Sequence, residues 1–312
     1  AFKKKVLITG GYGFLGQAIA ERFIKEGWDV FILDDLSSAQ MKKVSAAHHF
    51  YPYSVTDGRC EELFRIHNLD VVIHNAERST SFKREGYMEN SEINFLGLVN
   101  MLHLSSKYGV KKFFLTSTGS LVDHARIAAN EDELPLITNP RTMQKDINEK
   151  YALHWQRVFG LNVTALRFAS VYGPGQLPDH GVISQFMHAA LYGIPFRFKG
   201  SAQQTRDMLY VDDAAFAVYQ AAERSYNGDR MNISSNQQMT FQSLLDTCQQ
   251  FMKLPDIIWD SETVGNFQRA TLDNSLCRKE LGWYQKADLA TGLRQTYDWY
   301  KEWKRLHPAS TP

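Results

Sequence analysis

The stretch Thr9-Gly10-Gly11-Tyr12-Gly13-Phe14-Leu15-Gly16 decides how the rest of the chain is read. Gly10, Gly13 and Gly16 recur at every third position. Before them, residues 5–9 (KVLIT) form a short β-branched apolar run that reads as a buried parallel strand. After them, Leu15, Ile19, Phe23 and Ile24 repeat at helical spacing until Gly27 closes the segment. Glycines in such a strand–turn–helix keep the turn tight and let backbone N–H groups approach an anion. The helix N-terminus adds a partial positive charge. This is the sequence context of a dinucleotide pyrophosphate site, with Gly10, Gly13, Phe14, Leu15 and Gly16 around the phosphates.

Outward from the loop, the pattern alternates. Residues 30–33, 69–74, 112–117 and 163–168 read as buried strands, and residues 95–108 and 143–159 as helices. Strands alternating with helices predict an α/β fold, a doubly wound parallel sheet. The pattern breaks at 172–181 (YGPGQLPDHG), after which segments are shorter. The expected organisation is a dinucleotide-binding domain over 1–172 and a smaller substrate-binding domain over 173–312, with about 205–222 returning to the first. Asp34 and Asp35 close the second strand, roughly 20 residues after the glycines, where a carboxylate accepts ribose hydroxyls and repels a 2′-phosphate. Leu36, Ser37 and Ser38 follow with no Arg or Lys among them. The expected cofactor is therefore NAD.

The chain has 312 residues, 44% of them hydrophobic and 22% charged, which is globular rather than disordered composition. Lys plus Arg is 35 and Asp plus Glu is 34, a net charge of +1 that supplies no global field for nucleic acid or an anionic membrane. No apolar run approaches a membrane span, and Lys3-Lys4-Lys5 leads into a strand rather than a signal-peptide core. Cys60, Cys248 and Cys277 are odd in number and far apart, so neither a disulfide framework nor a zinc site is expected. A cytoplasmic protein with inert thiols and no metal is the reading.

Beyond the glycine loop, several motifs fall in order: His74-Asn75-Ala76, Asn94, Leu166-Arg167-Phe168, Val171-Tyr172-Gly173-Pro174, Thr205-Arg206-Asp207-Met208-Leu209-Tyr210-Val211-Asp212-Asp213 and Leu281-Gly282-Trp283. With these the sequence resembles the extended short-chain dehydrogenase/reductase family of the nucleotide-sugar epimerase/dehydratase type, over nearly its whole length. The resemblance implies a Rossmann domain and a cleft lined toward the cofactor by Ser37, Ser38, Ser54, Val55, Asn75, Ala76, Glu77, Asn94, Thr116 and Lys145. It also implies a homodimer through the helices at 95–108 and 143–159. In the chemistry it implies, the cofactor takes a hydride from a sugar carbon while the tyrosine of a Tyr-xxx-Lys motif takes the hydroxyl proton. A Ser or Thr binds the same oxygen, and the lysine lowers the tyrosine pKa.

Thr118 matches the Ser/Thr and Lys145 the lysine, but the tyrosine position is Arg141. A guanidinium stays protonated near neutral pH and is no base. Three readings stay open: another residue takes the proton, with Glu77 the nearer candidate and His124 more remote; Arg141 anchors an anionic substrate group; or the chain binds NAD and a nucleotide sugar with little chemistry. Gly119 and Ser120 stand where dehydratases carry Asp-Glu, which disfavours 4,6-dehydration, and Ser120 also weakens a decarboxylase assignment. Ser170 replaces an Asn that touches the sugar diphosphate, and Ser54 an Asp near adenine, with Asp57 close by. Arg206 matches a diphosphate-binding arginine, and Arg269 is a candidate second phosphate contact. The substrate expected is a nucleotide sugar.

Overall fold

The computed structural model describes residues 2–38, 44–78, 84–122, 124, 128–178, 180–260 and 271–308. The elements run β1 (Lys5–Thr9), α1 (Phe14–Lys25), β2 (Asp29–Leu33), β3 (His49–Tyr51), α2 (Cys60–Ile66), β4 (Val71–His74), α3 (Arg84–Ser91), a π-helical turn (Glu92–Leu96), α4 (Gly97–Lys107), β5 (Lys112–Thr118), α5 (Pro140–Phe159), β6 (Val163–Phe168) and β7 (Ser170–Tyr172). There follow α6 (Val182–Tyr192), β8 (Phe196–Lys199), β9 (Thr205–Tyr210), α7 (Val211–Glu223), β10 (Arg230–Ile233), β11 (Gln238–Thr240), α8 (Phe241–Cys248), β12 (Ile257–Asp260), α9 (Ser275–Leu281) and α10 (Leu289–Leu306).

Seven parallel strands form the central sheet in the order β10-β6-β5-β4-β1-β2-β3. The order reverses between β1 and β4, which opens a crevice at their carboxyl ends. Alternate residues of each strand enter different cores. Val6, Ile8, Val30, Ile32, Ile73 and Phe114 pack with α1 and α7, and Leu7, Phe31, Val72 and Phe113 pack with α2, α4 and α5. Both faces are buried, which is why these strands read as continuous apolar runs. A second unit contains the sheet β11-β9-β7, the pair β12-β8 and a core of Tyr172, Phe186, Phe196, Phe241 and Tyr300.

Three elements depart from expectation. The return to the first unit is shifted along the chain from 205–222: β9 belongs to the small sheet, α7 packs on α1, and β10 adds the outermost central strand beside β6. The helix expected at 95–108 is reached through α3 and the π-helical turn, which swings Asn94 onto the Arg78 backbone. Finally, α5 starts at Pro140 rather than 143. The Asn139 side chain accepts from Thr142 N at 3.0 Å, and Thr142 Oγ1 accepts from Asn139 N at 3.3 Å, a reciprocal cap with proline in the first turn. Cys60, Cys248 and Cys277 are buried free thiols, and burial pushes each up to about 12. Among the described residues no helix is long and apolar enough to cross a membrane.

Candidate active site

A cleft of about 670 Å³ lies at the carboxyl ends of β1, β2, β4 and β5. At its floor Gly10 has φ +65°, and a Cβ there would come within 2.9 Å of Ala76 Cα. A Cβ on Gly16 would overlap the Gly10 carbonyl oxygen, so this glycine sits behind the turn and holds it closed. Gly13 caps α1 without a side chain, and the first turn carries no acidic residue to compete with an anion.

Asp34 stands at the edge of the cleft. Its Oδ2 accepts from Tyr12 N at 2.9 Å and its Oδ1 from Leu36 N at 2.8 Å. Burial pushes this carboxyl above its ordinary value, opposed by those two N–H donors. Asp35 is turned to Ser37, accepting from its N at 2.9 Å and its Oγ at 2.6 Å. Phe14, Leu15, Ser37, Ser38, Ser54, Val55, Asn75, Ala76 and Thr116 share the same wall. Thr116 Oγ1 donates to Asn75 Oδ1 at 3.0 Å, and Thr9 Oγ1 accepts from both Asn75 N and Ala76 N at 3.0 Å. His74, against Thr9 Oγ1 at 2.9 Å, is fully buried, which pushes its pKa down to about 3.

The far end of the cleft collects Glu77, Thr118, Arg141 and Lys145. Lys145 Nζ lies 2.7 Å from Glu77 Oε2, and Arg141 Nε lies 4.0 Å from Glu77 Oε1. Burial pushes the Glu77 carboxyl up, but the charge and hydrogen bond of Lys145, with a smaller part from Arg141, bring it below its ordinary value. Thr118 Oγ1 is 2.9 Å from Ser120 Oγ. Under them, Glu149 accepts from Ser117 Oγ at 2.5 Å, from Arg167 Nε and Nη2 at 3.0 and 2.9 Å, and from Arg230 Nε at 2.9 Å. This network ties α5, β5, β6 and β10 together directly beneath the cleft.

Other expected site residues lie elsewhere. Asn94 does not face the main cleft; it clamps Arg78, accepting from Arg78 N and donating to Arg78 O, each at 2.8 Å. Ser170 is exposed on β7, between cleft residues Ala169 and Val171. Arg206 sits on β9 with Nη1 on the Thr205 carbonyl at 2.9 Å, outside the cleft wall. Asp57 is paired with Arg59. His124 lies 4.0 Å from Glu133, away from the cleft. Arg269 lies outside the described residues. Residues that sequence reasoning missed include Ser117, Gln176, Leu177 and His180. The last three come from the glycine- and proline-rich break at 172–181, whose composition marked a loop but not the cleft it walls. Among the described residues no group of three or more His, Cys, Asp or Glu side chains is placed to hold a metal.

A glycine turn feeding a helix N-terminus at the switch point of a doubly wound sheet, with a carboxylate at the end of β2, defines a dinucleotide-binding α/β protein. The chain belongs to the NAD dependent epimerase/dehydratase family, whose model matches residues 6–234. A putative UDP-glucose 4-epimerase of Methanocaldococcus jannaschii is 29% identical over 304 residues, covering 95% of this chain and 98% of that protein. The structure of a UDP-glucose 4-epimerase from Thermotoga maritima with UDP-glucose superposes with a TM-score of 0.85 at 29% identity, covering 96% of this chain and 99% of that one. A Thermus thermophilus UDP-glucose 4-epimerase in complex with NAD gives a TM-score of 0.85 at 27% identity, covering 95% and 99%. NAD is the family's cofactor, and the close-packed glycines, the acid-free first turn of α1 and the Asp34 carboxylate all fit it.

Proposed function

We propose that the protein is an NAD-dependent enzyme of nucleotide-sugar conversion, an epimerase or related oxidoreductase, whose proton acceptor is Glu77 rather than a tyrosine. The observation that carries this is the meeting of Glu77, Thr118, Arg141 and Lys145 at the end of the dinucleotide cleft. NAD supplies the hydride acceptor. Lys145 holds the nicotinamide ribose in this reading, and its departure removes the strongest group that keeps Glu77 low. Glu77 then keeps only the more distant Arg141, and its affinity for a proton rises. Thr118 hydrogen-bonds the substrate hydroxyl that gives up its proton. Arg206 leaves the Thr205 carbonyl for the substrate diphosphate.

The test is incubation with NAD and a panel of nucleotide sugars, following both NADH absorbance and the sugar products, because epimerisation leaves no net NADH. Conversion that is lost in Glu77→Gln while NAD binding persists supports the reading. The 2.7 Å Lys145–Glu77 pair favours one rival: if it persists with NAD bound, the chain binds NAD and a nucleotide sugar as a scaffold or partner subunit without turning over. Binding of both with no product from any sugar would establish that rival. We also read the chain as a cytoplasmic homodimer through the segments 95–108 and 143–159, supported by the exposed apolar side chains of Leu96, at the end of the π-helical turn before α4, and of Ile147, Tyr151 and Phe159 on α5.

A further inference from the structure

Resting on the nucleotide-sugar reading, we infer that the cleft is built for a sugar bearing a carboxylate, received by Arg141 and Arg78 in a side pocket that opens beside Glu77. The pocket is a cavity of about 180 Å³ between the end of β4, α3 and the first turn of α5, with Glu77 and Arg141 on the wall it shares with the main cleft. Its lining mixes apolar side chains, Met143 and Ile147 among them, with the polar groups of Arg78, Asn90 and Gln144.

Three features point to an anion. First, Glu77 meets Lys145 and Arg141, and Arg78 lines the same side pocket, so among the described lining residues three cations stand against one carboxylate. Second, the Arg78 Nε is buried without a hydrogen-bond partner, an arrangement that costs stability unless a ligand completes it. Its backbone is fixed by Asn94, so the side chain is presented from a rigid base. Third, Arg141 occupies the first turn of α5, where the helix dipole disfavours a cation and favours an anion. At 4.0 Å its Nε makes no hydrogen bond to Glu77, so its planar fork is available for a bidentate contact. A neutral hexose gives these groups nothing to neutralise.

The experiment is calorimetry on the NAD-loaded protein with UDP-glucuronate, UDP-glucose and UDP. The expected result is UDP-glucuronate binding at least about tenfold more tightly than UDP-glucose, consistent with one charge-assisted bidentate pair. In Arg141→Ala and Arg78→Met that ratio should fall close to one, and Arg141→Lys, which keeps the charge but loses the fork, should lie between. Equal affinity for the two sugars in the native protein, or a preference that survives both substitutions, overturns the carboxylate subsite while leaving the nucleotide-sugar reading standing. No binding of any of the three overturns the nucleotide-sugar reading itself.

Discussion

Glu77 faces two cations, and its proton affinity follows from which of them it keeps. With Lys145 at 2.7 Å it is a weak base; with Lys145 drawn away it is a partly exposed carboxylate with one distant guanidinium. Glu77→Gln is therefore expected to lower turnover by roughly 10²-fold or more while NAD affinity holds or improves, because Lys145 is released. Parallel rate and NAD-binding measurements check this. The place of Asp34 at the cleft edge was legible from its position at the end of the second strand, and its pairing with a ribose is the proposal that follows. Asp34→Ala should weaken NAD and narrow its advantage over NADP in calorimetry, and equal or tighter NADP binding by the native protein would contradict the assignment. Arg206→Ala should weaken UDP binding and spare NAD; unchanged UDP affinity would exclude the proposed swing from Thr205. Asn94 shows the opposite limit of legibility. Its motif was visible, but the π-helical turn that aims it at Arg78 leaves no periodic signal in the sequence.

The loop between β1 and α1 and the helix α5 set the geometry of the two ends of the cleft. The loop could be read in full, since close packing of Gly16 on the Gly10 carbonyl is what the glycine spacing requires. Gly16→Ala should abolish NAD binding, and an Ala variant with native NAD affinity would show that the turn relaxes without cost. For α5, apolar periodicity located the body of the helix but not its start, because Asn139, Pro140 and Thr142 act through capping rather than burial. That start places Arg141 and Lys145 one turn apart on the cleft side. Asn139→Ala should cost about 1 kcal/mol by losing the cap, measurable in denaturant unfolding. Glu149→Ala should cost far more, about 3–5 kcal/mol, by leaving Arg167 and Arg230 without their shared carboxylate.

Across the molecule, the central sheet was legible because both of its faces are buried and each strand is continuously apolar. The second unit was not, since its strands are short and paired across long sequence intervals, and β10 joins the first sheet after three strands, β7, β8 and β9, that do not. The assembled core also fixes a pH dependence. His74 has a folded pKa of about 3 against an ordinary 6.5, so the unfolded chain binds the extra proton between those values and stability falls as pH drops below 6.5. Glu149 is held low: burial pushes it up, but Arg167, Ser117 and Arg230 outweigh that, so its contribution is lost as pH falls below the ordinary glutamate value of 4.5. Thermal melts should show a shallower slope between pH 6.5 and 4.5 in His74→Asn than in the native protein, whatever the offset in Tm. The central claim, that hydride chemistry on a nucleotide sugar occurs in this cleft with Arg141 in place of a phenol, is tested most directly by single-turnover formation of enzyme-bound NADH. Native, Arg141→Tyr and Thr118→Ala proteins are compared with UDP-glucose. The account predicts a slow native rate, a gain of roughly 10²-fold or more in Arg141→Tyr, where phenol and lysine sit one turn apart, and a further loss in Thr118→Ala. Fast native turnover that survives Thr118→Ala would contradict it.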